Sequence, residues 1–133
     1  MSTGITPVKD LVAAANEEIT TLSIDETRAL KESGEAVIFD IRDVRELWRE
    51  GTVPGAVHTP RGMLEFWADP ESPYHKEVFA SGKKLVLYCA SAWRSALATK
   101  ALQDMGVPNV AQMEGGFSAW KERELPIDPV KKK

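Results

Sequence analysis

The chain has 133 residues, 43% of them hydrophobic and 28% charged, which suits one globular domain with a single core and excludes disordered or fibrous architectures. A net charge of −3 gives no electrostatic case for nucleic acid or an anionic membrane, and no apolar run approaches the roughly 18 residues of a membrane span. One cysteine and two histidines supply neither an internal disulfide nor a ligand set for a metal, so a cytoplasmic protein without metal or cofactor is expected.

In chain order, MSTGITPVKD lacks the basic start and apolar segment of a secretory leader. VKDLVAAANEE, Val8 to Glu18, is Ala-rich and reads as a first helix. ITTL, at 19 to 22, is β-branched and reads as a short strand. Ser23 and Glu26 have the spacing of a capping box, opening a helix that should stop near Gly34. AVIFD, at 36 to 40, is a continuous apolar run, as expected of a strand covered on both faces. Asp43 offers a second cap-like start for VRELWRE, which should end at Gly51.

A Pro-Gly turn then precedes a short strand at Ala56 to His58, and RGMLEFWADP reads as one or two helical turns closed by Pro70. ESPYHKEVFASG is polar, with room for one more turn before the strand LVLY at 85 to 88. Apolar residues recur at helical spacing from Ser95 to Met105, with Gly106 as the stop. NVAQM is a last strand and GGFSAWKERE a last helix. Strands alternating with helices imply an α/β domain with right-handed crossovers, about five mainly parallel strands and helices on both faces. One domain over 1–133 is expected, its core at about 19–127, with a short N-terminal helix and a charged C-terminal tail.

Ligands of such sheets bind beyond the carboxyl ends of the strands, and Cys89 stands at such an end. The loop Cys89-Ala90-Ser91-Ala92-Trp93-Arg94, closed by Ser95, has small residues that let a ligand approach the backbone. Curled inward, its amides and the following helix N-terminus would hold an anion, whether thiolate, persulfide or oxyanion. Arg94 is permanently charged and presents a planar fork to an oxyanion. On these residues alone, an inert core cysteine remains the competing reading.

The stretch CASAWRSALATKALQDMGVPNVAQMEGGFSAW resembles the active-site half of the rhodanese family: a Cys, four residues, Arg-Ser, a helix ending in Gly, a short strand, then Gly-Gly and a Trp. IFDIRDVRELWREGTVPGAVHTP is similar to the family's other motif, so the resemblance spans about residues 19 to 127. It implies a single rhodanese-like domain and sulfur transfer, with Cys89 catalytic and Ala90, Ser91, Ala92, Trp93, Arg94 and Ser95 binding substrate. The implied partners are a small sulfur donor such as thiosulfate and an acceptor that is cyanide, a thiol or a partner protein. Ala92 stands where the family often has Gly, which implies a positive φ, and Thr52 stands where His is frequent.

Two rival functions remain. A cysteine phosphatase or arsenate reductase would use a similar loop for a tetrahedral oxyanion. The phosphatases that resemble this fold have five residues between Cys and Arg, against four here, and a shorter ring suits a single sulfur. The other rival is a thiol-based sensing or binding module. Asp40 and Arg42 could border the pocket, or form a structural cluster with Glu46 that fixes the neighbouring loop. Arg61 could add positive potential near Cys89, or lie on the surface. Trp93 could wall the pocket, while Trp48, Trp67 and Trp120 are expected in the core. His58 and His75 read as structural or surface, and Gly115-Gly116 as a tight turn rather than a phosphate loop.

Overall fold

The computed structural model describes residues 4–132. It contains six α-helices: α1 (Val8–Glu18), α2 (Ile24–Glu32), α3 (Val44–Glu50), α4 (Leu64–Ala68), α5 (Trp93–Asp104) and α6 (Gly116–Glu122). The five strands are β1 (Thr20–Leu22), β2 (Ala36–Asp40), β3 (Val57–His58), β4 (Lys84–Tyr88) and β5 (Val110–Met113). Short 3₁₀ turns cover Arg61–Met63 and Glu77–Ala80. The strands form one wholly parallel sheet in the order β1-β5-β4-β2-β3. No helix among the described residues is long and apolar enough to cross a membrane.

The sequence explains why the elements start and stop where they do. Ser23 and Asp43 each cap a helix, and both capping boxes close: the Glu26 and Glu46 carboxylates accept from the N-cap amides at 2.9 and 3.1 Å. α5 starts two residues before the expected Ser95. Ala92 takes a left-handed conformation (φ 74°) as its N-cap, so Trp93 is already the first helical residue. That conformation costs a non-glycine residue roughly 1–2 kcal/mol, which packing elsewhere must offset.

Both faces of the sheet are covered, as the unbroken apolar runs of β2 and β4 require. Leu85 and Leu87 point into a cluster with Phe39, Leu64 and Leu102, which brings α4 and α5 onto one face. Val86 and Tyr88 point to the other, with Ile38 from β2, Ile24 from α2 and Phe117 and Trp120 from α6. α1 is fastened to α5 by Val12 and Ala15 against Ala96. Trp120 is a core residue and Trp67 packs at the core's margin, whereas Trp48 is only partly buried, beneath the Lys132 ammonium.

Strand order locates the site. β2 continues to β3 on one side and β4 to β5 on the other, so the segments leaving β2 and β4 diverge. The crevice of a parallel α/β sheet opens at such a switch point, between Asp40 and Tyr88, which are paired in register.

Candidate active site

Cys89 directly follows β4 and is 1% exposed. Its sulfur accepts from the Ser95 amide at 3.3 Å, and its thiol faces the Ser95 hydroxyl at 3.6 Å. Apolar side chains flank it on the sheet side, so the sulfur rests where hydrocarbon meets the first turn of α5. The loop over it reaches the surface, with Ser91 and Trp93 exposed and Arg94 half-exposed.

The N-terminus of α6 shapes this loop. Phe117 and Ser118 donate their amides to the carbonyls of Cys89 and Ala90 at 2.8 and 3.0 Å. A trans peptide sets its N–H opposite its C=O, so the Ala90 and Ser91 amides are turned away from α6. The N–H groups of Ser91, Ala92, Trp93 and Arg94 meet no acceptor among the described residues. These are the donors that an anion bound at the loop would meet.

The Gly115-Gly116 pair is a tight turn as expected, with φ of 72° and 59°, and it carries a further duty. A Cβ on Gly116 would overlap the Cys89 carbonyl oxygen and lie 2.7 Å from that of Ala90. Gly116→Ala is therefore expected to cost roughly 1–3 kcal/mol, through left-handed strain and displacement of the cysteine loop. Chemical denaturation measures this directly; an unchanged midpoint would mean that the loop yields freely.

Arg94 does not stand uncommitted above the sulfur. Its guanidinium forms a two-pronged ion pair with Glu46, at 2.7 and 3.0 Å. The bonds from Arg94 hold the Glu46 carboxyl below its usual range, and Glu46 in turn raises Arg94. Glu46 does lie within electrostatic reach of Arg42, as a cluster with Asp40 and Arg42 implies, but its hydrogen bonds go to Arg94 and to the Asp43 amide.

Asp40 and Arg42 are both fully buried, so they lie behind the site rather than on its border. Arg42 donates to both Asp40 oxygens (3.0 and 2.7 Å), to the Gly51 carbonyl (2.7 Å) and to Glu50 (3.1 Å), and it covers the Phe117 ring. Tyr88 and Thr52 donate their hydroxyls to Asp40. Burial pushes the Asp40 carboxyl up, but the Arg42 and Tyr88 bonds outweigh it and hold it below the usual range. Burial and Asp40 together push the Tyr88 phenol well above its ordinary value. His58 belongs to the same scaffold, donating from Nε2 to the Arg42 carbonyl at 2.7 Å. His75 is likewise structural, its Nδ1 bonded to the Trp67 carbonyl at 3.0 Å. Arg61 is ion-paired with Glu65 at 2.7 Å.

Gln112, in the middle of β5, is a site neighbour that the sequence reading passed over. It accepts from the Ser95 hydroxyl at 2.8 Å and donates to Asn16 and Thr21 at 2.9 and 3.1 Å. An amide inside the otherwise apolar run VAQM needs a buried partner, and that was the available clue.

The model of the rhodanese-like domain matches residues 23–123. A human thiosulfate:glutathione sulfurtransferase is 31% identical over 110 residues, covering 78% of this chain and 95% of the relative. Among solved structures, a protein of unknown function from Rhodopseudomonas palustris, described as a possible tyrosine phosphatase, is 50% identical with a TM-score of 0.88. The match covers 96% of this chain and 99% of that one. A polysulfide-sulfur transferase of Wolinella succinogenes is 30% identical with a TM-score of 0.68, covering 92% and 87% of the two chains.

Proposed function

The chain belongs to the rhodanese-like domain family, with sulfurtransferases among its relatives, and we propose that it moves a sulfane sulfur through a persulfide on Cys89. Thiosulfate is the assay donor. The Cys89 thiolate attacks its outer sulfur, a new S–S bond forms, and sulfite leaves with the electron pair of the old one. An acceptor, cyanide or a thiolate, then attacks the outer persulfide sulfur and Cys89 leaves as thiolate. Each half-reaction is a displacement at sulfur, and together they predict ping-pong kinetics.

The observation that carries this reading is the loop itself. The Ser95 amide meets the sulfur at 3.3 Å, and four consecutive amides, from Ser91 to Arg94, have no acceptor among the described residues. Backbone donors grouped in this way form a cradle for negative charge, which suits the charge that moves through the site during sulfur transfer. Arg94 would bind the donor's oxygens while remaining attached to Glu46.

The Rhodopseudomonas relative raises the phosphatase reading again. Four residues rather than five separate Cys89 from Arg94, which narrows the ring and favours one sulfur atom over a phosphoryl group. Intact-mass measurement after thiosulfate treatment separates the two. Sulfur transfer predicts a gain of one sulfur atom, lost again on adding cyanide. Release of phosphate from an aryl phosphate without any such adduct would replace this assignment.

A further inference from the structure

We propose that Glu46 is a specificity-determining residue, turning the site away from small dianionic donors and toward sulfane sulfur carried on a weakly charged organic thiol, an alkyl persulfide. The inference rests on the sulfurtransferase reading and names its substrate class.

The charge pattern around Cys89 carries it. In the six residues that follow each of β2, β3 and β4 there is no lysine, and the arginines are Arg42, Arg45, Arg61 and Arg94. Each is bound to a carboxylate: Arg42 to Asp40 and Glu50, Arg45 to Asp43, Arg61 to Glu65, and Arg94 to Glu46. These segments therefore offer no uncommitted cation. Glu114, directly after β5, adds a carboxylate with no ion-pair partner among the described residues.

Glu46 is the decisive member because it occupies both prongs of Arg94. It is also held in place. The Asp43 amide donates to its Oε1 at 3.1 Å, and its side chain is 18% exposed, so it cannot swing aside without breaking the cap of α3. A dianion reaching Arg94 meets this carboxylate at the same point, a like-charge encounter that lowers affinity. A persulfide avoids it. Cys89 is 1% exposed and so accepts a slim terminal atom, while the loop that covers it carries the half-exposed Trp93, an apolar side chain available to the organic part. The step balances as a displacement: the Cys89 thiolate attacks the outer sulfur of R–S–SH, RS⁻ leaves with the electron pair, and Cys89–S–SH remains.

The test is the ratio of kcat/KM for thiosulfate to that for cysteine persulfide, in the wild type and in Glu46→Gln, which retains a capping-box acceptor. The ratio is expected to rise about tenfold in the variant. An unchanged ratio, with both donors rising or falling together, would reduce Glu46 to a holder of Arg94 and overturn the proposal. Thiosulfate binding by calorimetry, in Cys89→Ser and in Cys89→Ser/Glu46→Gln, needs no turnover. Kd should tighten about tenfold on losing the carboxylate, and equal affinities would refute the role. Should the wild type take sulfur from neither donor, the proposed function fails, and the binding comparison still decides what Glu46 does to an anion.

Discussion

Replacing Cys89 with serine is expected to abolish the sulfur adduct and to lower kcat/KM for thiosulfate:cyanide transfer by at least about three orders of magnitude. A hydroxyl stays protonated where a thiol ionises, and no other cysteine can take over. The substitution is nearly isosteric, and a serine oxygen can still accept from the Ser95 amide that now reaches the sulfur at 3.3 Å. The fold should therefore persist, and circular dichroism with a melting curve checks that it does. Turnover within tenfold of the wild type would remove Cys89 from the mechanism, whatever the loop looks like.

Much of this site could be read before the structure, because its determinants are local. The cysteine at a strand end, the small loop, the arginine and the helix after it lie within eight consecutive residues, Tyr88 to Ser95. The two capping boxes are likewise local, and both helices begin where their caps stand. The positive φ at Ala92 was expected from the family pattern, and its consequence, a helix starting at Trp93, follows from the same residue.

What the sequence hid are contacts between distant segments. Glu46 and Arg94 are 48 positions apart, and Gln112 reaches Asn16 across 96. Glu46 and Glu50 lie one helical turn apart on α3, and both could have answered Arg42. The choice is made by how α3 leaves the sheet, which places Glu50 beside the buried guanidinium and Glu46 beside the β4 loop. The role of Gly116 was invisible for the same reason: its constraint comes from the Cys89 and Ala90 carbonyls, a strand away.

The buried charge behind the site gives the largest expected effect on stability. Asp40→Ala should cost about 3–5 kcal/mol, because it leaves the Arg42 guanidinium in the interior without its main counter-charge. For a chain of this size that is a fall in Tm of roughly 10 °C or more. Tyr88 would lose its acceptor in the same substitution and, since it precedes Cys89, would unsettle the end of β4 as well. The pH dependence has a definite sign. Asp40 is depressed in the folded state, so its contribution is complete above the ordinary carboxylate pKa of about 4 and fades as pH falls through the lower folded value. The stability gap between wild type and Asp40→Asn should therefore be full at pH 6 to 8, roughly, and shrink in acid as the wild-type carboxyl protonates. A gap that is constant down to the acid transition would mean that Asp40 acts through shape and neutral hydrogen bonds. Its charge would then contribute nothing to holding Arg42 and Tyr88 beneath the cysteine loop.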